Sequence, residues 1–118
     1  MQLNWYAVYT RSRHEQKVND RLREKNIETF LPLIERWSRR KDRRKRVHLP
    51  LFPGYLFVHT LMDNHTRLDI LKTESVVRIL RNEGGPAAIP DQQINAIQVL
   101  MNSGISPTPH PYLKEGMR

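Results

Sequence analysis

The spacing of apolar positions changes several times along the chain. Residues 4–10, NWYAVYT, alternate aromatic and β-branched side chains roughly by two, which predicts a strand. Residues 13–26 contain no Gly or Pro, and Val18 and Leu22 fall four apart, the repeat of one helix face. Ser12, followed three residues later by Glu15, supplies a capping-box pattern ahead of that helix. Residues 28–35, ETFLPLIE, return to strand character, with Pro32 pointing to an edge or a bulge. A basic run comes next, then a second extended segment over 47–60; the two strands and their charged tip read as one long hairpin. Asp63 or Asn64 is placed to cap a short helix reaching about Thr73, buried through Leu68 and Leu71. Residues 76–81 predict a further strand and 83–86 a turn. Residues 90–101 predict a last helix with Ile94, Ile97 and Met101 as its apolar stripe, stopped at Ser103-Gly104.

The order is βαββαβ with an additional C-terminal helix. It matches the split-βαβ, ferredoxin-like class of α+β fold, an antiparallel-rich sheet with helices on one face. Residues 1–104 are expected to form this domain. Beyond it, ISPTPHPY has three prolines in eight residues and reads as a linker. Gly116-Met117-Arg118 has the character of another strand's beginning, so residues 105–118 are expected to lead into a second domain that these 118 residues do not include.

Composition narrows the functional classes. At 118 residues, 38% hydrophobic and 27% charged, the chain reads as one globular domain. No apolar run approaches the roughly 20 residues of a membrane span, and MQLNWYAVYT lacks the charged start and apolar block of a secretory signal. The absence of cysteine excludes disulfides and thiol chemistry and fits a reducing cytoplasm. The net charge of +8 is concentrated: residues 36–46, RWSRRKDRRKR, hold eight bases and one acid, so the other 107 residues contribute only +1. Such a cluster attracts a phosphate backbone or an acidic protein surface, although a solvated loop held open by self-repulsion has the same composition.

No catalytic constellation stands out. The histidines at 14, 48, 59, 65 and 110 lack metal-ligand spacing, and the glycine pair at 84–85 runs into Pro86 as a turn and is no phosphate loop. Neither an enzyme nor a bound cofactor is expected. Two other features carry information. Arg13, Lys17 and Arg21 are four apart and share a helix ridge, with Arg11 at the preceding turn and His14 beside them. This is a cationic surface suited to phosphate contact, or else an ordinary solvated face, since Glu15, Asp20 and Glu24 are near enough to pair with the bases. The second is LPLFPGYLFVH, residues 49–59, in which Pro50, Pro53 and Gly54 interrupt a strand. Alternation puts Tyr55 and Phe57 on one face and Leu56 and Val58 on the other, with Tyr6 and Tyr9 as candidate neighbours of the rings. The rings either complete the core or line a groove for an apolar partner helix.

WYAVYTRSRHEQKV, LFPGYLFV after a basic insert, and the strand–Pro–helix ending resemble the NusG N-terminal domain, from Trp5 to about Gly104. YLKEGMR resembles the lead into the KOW domain that follows in full-length members. The resemblance implies a bacterial, cytoplasmic, monomeric transcription elongation and antitermination factor. Its N-terminal domain would dock on the clamp helices of the RNA polymerase largest subunit and suppress pausing, while the KOW domain would meet ribosome or termination factor. Housekeeping members usually carry a Trp and an Arg-Asn-Thr-Pro-Gly-Val-like run where this chain reads RLDILKTESVVRIL, which resembles instead the specialised RfaH-type members acting at selected operons. Tyr9, Phe52, Pro53 and Tyr55 match clamp-helix-facing positions, with Tyr6 and Leu51 nearby. Arg11, His14, Lys17 and Arg21 match positions that approach non-template DNA; Thr73 falls near a further DNA-facing pair, and Glu74 occupies a spot that is basic in RfaH. Thr66 and Arg67, after His65, fall at a His-Thr-Thr element that contacts the polymerase gate loop. Arg39, Arg40, Arg43 and Arg44 lie in the variable hairpin and would meet DNA or polymerase. The alternative on the same architecture is a stand-alone RNA-binding module stacking bases on Trp5, Tyr9 and Tyr55, although no Lys/Arg-Gly-Phe-Gly-Phe-like run accompanies them.

Overall fold

Alternation along β1 (Asn4–Thr10) sends Tyr6 and Val8 to one side of a sheet and Trp5 and Ala7 to the other, into two separate cores. The computed structural model describes residues 2–37 and 46–103. After β1 come α1 (Glu15–Glu24), β2 (Glu28–Phe30), β3 (Leu33–Trp37), β4 (Arg46–Pro50), β5 (Tyr55–Thr60), α2 (Asn64–Leu71) and β6 (Val76–Ile79). A small hairpin of β7 (Arg81–Asn82) and β8 (Gly85–Pro86) occupies the place of the predicted turn, and α3 (Asp91–Asn102) ends the described chain. The main sheet has the order β2-β5-β1-β6 with every pairing antiparallel, which is the ferredoxin-like order.

Val18 and Leu22 of α1 and Ile70 of α2 are wholly buried against Tyr6, Val8, Leu56, Val58 and Ile79 on one face. The opposite face carries Trp5, Ala7, Tyr55 and Phe57, and is equally apolar. A sheet apolar on both sides needs two covers. The second is built from Ile94 of α3 with Ile34, Leu51, Phe52 and Leu80. The two helices of the ferredoxin-like unit, α1 and α2, thus share one face as the element order predicts, and the additional C-terminal helix covers the other.

The long hairpin is also divided. Prolines and a glycine cut each predicted strand: β2 and β5 join the main sheet, whereas β3 and β4 pair as a ribbon of their own, from Leu33 opposite Pro50 to Trp37 opposite Arg46. The two parts meet where the Leu51 N–H donates to the Pro32 carbonyl at 2.8 Å. Proline has no N–H for a ladder, so a break at Pro32 and between Pro50 and Gly54 is the ordinary consequence. The basic insert, with Arg39, Arg40, Arg43 and Arg44, and the expected linker 105–118 lie outside the described residues.

One helix start differs from expectation. Arg13 is left-handed (φ 66°) and α1 begins only at Glu15, with His14 at the N-cap and no side-chain cap bond. The Ser12–Glu15 capping box is thus not formed, because Glu15 turns inward to another partner. In α2 the cap is Asp63, one of the two residues expected there: its carboxylate accepts the Thr66 N–H at 2.7 Å. Ile70 is the buried residue of that helix, while Leu68 is 45% exposed and Leu71 only partly covered. The Thr66 N–H, the Thr66 hydroxyl and the charge of His65 hold the Asp63 pKa below that of an ordinary aspartate, against a small opposing effect of burial.

A depressed carboxylate pKa gives stability that is complete above the unfolded value, about 3.9, and lost as pH falls through the folded value. Asp63→Ala is therefore expected to lower the melting temperature at pH 7, with Asp63→Asn retaining most of it. The difference between Asp63→Ala and the parent should shrink as pH is lowered below about 4; thermal melts across pH 2.5–7 check both.

Candidate functional site

The segment between β4 and β5 is a turn tied down on three sides. The Tyr55 N–H closes it onto the Phe52 carbonyl at 2.9 Å, and the Gly54 carbonyl accepts both the Thr10 N–H at 2.7 Å and the Thr10 hydroxyl at 3.3 Å. From the third side the buried carboxylate of Glu15 accepts the Gly54 N–H at 2.8 Å. Gly54 has φ 87°, and a Cβ there would lie 3.1 Å from Cε1 of Tyr9. The missing side chain both permits the left-handed backbone and leaves room for the Tyr9 ring. Tyr9 pairs with Tyr55 across the ladder, ring centroids 5.0 Å apart.

This geometry sorts the predicted docking residues. Tyr9 is half-buried and Pro53 exposed, both at the surface of the turn. Leu51, Phe52 and Tyr55 belong mainly to the core; Phe52 meets Phe57 edge-on at 5.7 Å and keeps 9% of its surface. Tyr6 lies under α1 and α2 on the other face, and Thr66 and Arg67 sit in the first turn of α2, so none of these three joins the ring cluster. The sequence reading passed over residues bordering it. Ile97 and Met101 of α3 are half-buried along its edge. Arg78 is exposed opposite Tyr9, its guanidinium 5.7 Å from the ring centroid. Strand alternation counted from β6 would have found Arg78, but the register shifts between Tyr9 and Thr10 and breaks the count.

The cationic set divides as well. Arg11, Arg13 and Lys17 are exposed and make no ion pair with a described residue. Arg13 precedes the helix, so the ridge on α1 is reduced to Lys17 and Arg21. Arg21 is engaged with Glu74, donating to its carbonyl at 3.0 Å and lying 3.5 Å from its carboxylate. His14 Nδ1 shares a 2.7 Å bond with the Ser75 hydroxyl, and the Arg11 N–H donates to the Ser75 carbonyl. Thr73 is buried; its hydroxyl donates to the Asp69 carbonyl and accepts from Lys25, which also pairs with the Asp69 carboxylate at 3.1 Å. These bonds strap α1 to the α2–β6 turn. An open groove of about 500 Å³, bordered by Arg13, Gln16, Leu33, Leu49 and Pro53, runs between the start of α1 and the Phe52–Tyr55 turn.

Fold and surface together define a ferredoxin-like domain that presents an aromatic turn beside a cationic helix start. The family model described as transcription termination factor nusG matches residues 3–98. The transcription termination/antitermination protein NusG of Halalkalibacterium halodurans is 27% identical over 110 residues, covering 82% of this chain and 61% of the relative. Its counterpart in Helicobacter pylori strain J99 is 27% identical over 126 residues, covering 97% of this chain and 70% of the relative. A solved structure titled "Domain interaction in Thermotoga maritima NusG" superposes with TM-score 0.67 at 23% identity, over 87% of this chain and 59% of that one, and shares the fold. The chain belongs to the NusG family, and it spans about 61% of the length of the Halalkalibacterium relative.

The turn geometry makes Gly54→Ala costly: the left-handed backbone alone disfavours alanine by about 1–2 kcal/mol, and the Tyr9 ring must also move. Urea denaturation is expected to show at least that loss; equal stability of variant and parent would contradict the turn described above.

Proposed function

We propose that this domain acts in transcription elongation and antitermination in the bacterial cytoplasm. It binds the clamp helices of the RNA polymerase largest subunit through the aromatic turn and contacts non-template DNA through the start of α1. The observation that carries the reading is the Phe52–Tyr55 turn, fixed beside the half-exposed Tyr9 in a chain of NusG-family sequence. Its suppression of pausing would follow from preferring the closed clamp, a population shift that needs differential affinity for that state. The residues after Leu61 that depart from the housekeeping pattern favour a specialised, RfaH-type role at selected operons. Arg11, Arg13 and Lys17 are the most available DNA contacts, because Arg21, His14 and Thr73 already have partners within the domain. The basic insert is a further contact for DNA or polymerase. Thr66 and Arg67 at the start of α2 are proposed to reach the gate loop of the opposite pincer.

A stand-alone RNA-binding role finds less support. It requires rings open on the sheet face, whereas Trp5 is buried and stacked on His59 at 4.6 Å, and Tyr55 is 5% exposed beneath its own core.

Phe52→Ala removes core packing as well as docking surface, so Tyr9→Ala is the cleaner probe. Tyr9→Ala is expected to weaken binding to purified polymerase roughly tenfold, about 1.4 kcal/mol, with binding to single-stranded DNA preserved. Biolayer interferometry on both variants, each with its own melting curve, measures this; unaltered polymerase affinity in Tyr9→Ala would remove the docking surface from the proposal. Charge reversal of Arg11 and Lys17 is expected to leave polymerase binding intact at moderate salt. The same variant should flatten the log–log salt dependence of DNA binding by about 1.4, measured by fluorescence anisotropy.

A further inference from the structure

Glu15 stands out because nothing local requires it to be buried. It is the first residue of α1, an ideal position for an exposed acid, and yet it is 6% exposed. Arg11, Arg13 and Lys17 surround it in sequence and none pairs with it. Its carboxylate instead reaches a residue 39 positions away and accepts the Gly54 N–H. A charged acceptor on a buried amide is among the stronger hydrogen bonds a protein makes. That amide is the middle of the docking turn: Leu51 and Tyr55 at its two ends are held by backbone carbonyls, while the Gly54 N–H has Glu15. The bond therefore fixes the Pro53–Gly54 peptide plane, on which the exposure of Pro53 and the seat of the Tyr9 ring depend. On its other side, Glu15 follows directly on the Arg11–His14 segment, which Ser75 anchors through the Arg11 N–H and the His14 ring.

We infer that Glu15 is a positioning residue that holds the docking turn and the cationic helix start in one geometry, so that its loss weakens binding on both surfaces although it touches neither partner. The inference rests on the two-surface reading above. It turns on reach and acceptor capacity: glutamine keeps both, whereas aspartate keeps the charge and withdraws the carboxylate by one methylene.

The test compares Glu15→Gln and Glu15→Asp in this chain, with Tyr9→Ala and Lys17→Glu as single-surface controls. The probes are purified bacterial polymerase core enzyme and a single-stranded DNA of about 20 nucleotides. Glu15→Asp is expected to lose roughly tenfold with both probes, and Glu15→Gln to stay within about threefold of the parent. Tyr9→Ala should lose only polymerase and Lys17→Glu only DNA. Hydrogen exchange adds a readout independent of either partner: the Gly54 amide should exchange at least about tenfold faster in Glu15→Asp, with the Leu56 and Val58 amides still protected. Parent-like affinity for both probes in Glu15→Asp overturns the inference, as does unchanged Gly54 exchange. Loss of protection at Leu56 and Val58 too would make Glu15 a general stability residue and also overturn it. Parent-like polymerase binding in Tyr9→Ala sinks the docking reading instead, and Gly54 exchange in Glu15→Asp then still decides whether Glu15 positions the turn.

Discussion

The bond from the Gly54 N–H to the Glu15 carboxylate joins three parts of the chain that sequence keeps apart. At that point the end of β1, the start of α1 and the turn into β5 come together, since Thr10 holds the Gly54 carbonyl while Glu15 holds its N–H. A buried peptide group must have its donor and acceptor satisfied. The last residue of β1 reaches the Gly54 carbonyl, but the Gly54 N–H is met by a side chain, that of Glu15. The domain solves this with the Thr10 N–H and hydroxyl on the Gly54 carbonyl and the Glu15 carboxylate on its N–H, and the solution demands a glycine, a nearby ring and an acid that does not cap its own helix. The interruption of the strand, the late start of α1 and the place of Tyr9 are consequences of this one requirement.

The second constraint is a sheet apolar on both faces. α1 and α2 cover one side; the other would be left open by the minimal βαββαβ order, and Trp5 and Phe57 would face water. The C-terminal helix and the base of the β3–β4 ribbon close it. Covering that face consumes most of the aromatic surface, so Phe52 and Tyr55 serve the domain before they serve any partner. What remains at the surface is narrow: Tyr9, Pro53 and the edges of Ile97 and Met101. On the proposed reading, binding through so few groups depends on their being held in place beforehand, because a small patch cannot offset the ordering of a loose loop.

Much of this was legible in the sequence, for definite reasons. β1, the opposed faces of β5 and the stripe of α3 follow from periods of two and of three to four, and the structure keeps them. Of the two tyrosines expected near the rings, Tyr9 pairs with Tyr55 and Tyr6 lies on the opposite face. The failures came where a distant partner outbid a local one. Ser12 and Glu15 have capping-box spacing, but Gly54 offers Glu15 a buried donor. Arg21 looked like a free member of a cationic ridge until folding brought Glu74 beside it. In α2, eight residues are too few for a period to fix the inward side, and Ile70 took the place assigned to Leu68. The division of the hairpin was signalled by its prolines, but they do not say which half joins which sheet.

The two surfaces differ in how their affinity responds to conditions, and that difference gives the arrangement its logic on the proposed reading. Apolar contact at the turn is nearly insensitive to salt and insensitive to base sequence. Cation contact at the start of α1 is screened over about 8–10 Å at physiological salt and falls steeply as salt rises. Either alone discriminates poorly: the first cannot tell a polymerase on DNA from one without it, and the second cannot tell polymerase-bound DNA from any other. Held in one rigid geometry, the second contact becomes intramolecular once the first has formed, and its strength is set by an effective concentration and no longer by bulk DNA. That gain requires the spacing between Tyr9 and the Arg11–Lys17 cations to be fixed. The short path through Thr10, Gly54 and Glu15 supplies it with one backbone–backbone hydrogen bond, Thr10 N–H to the Gly54 carbonyl, and one from the Gly54 N–H to the Glu15 carboxylate.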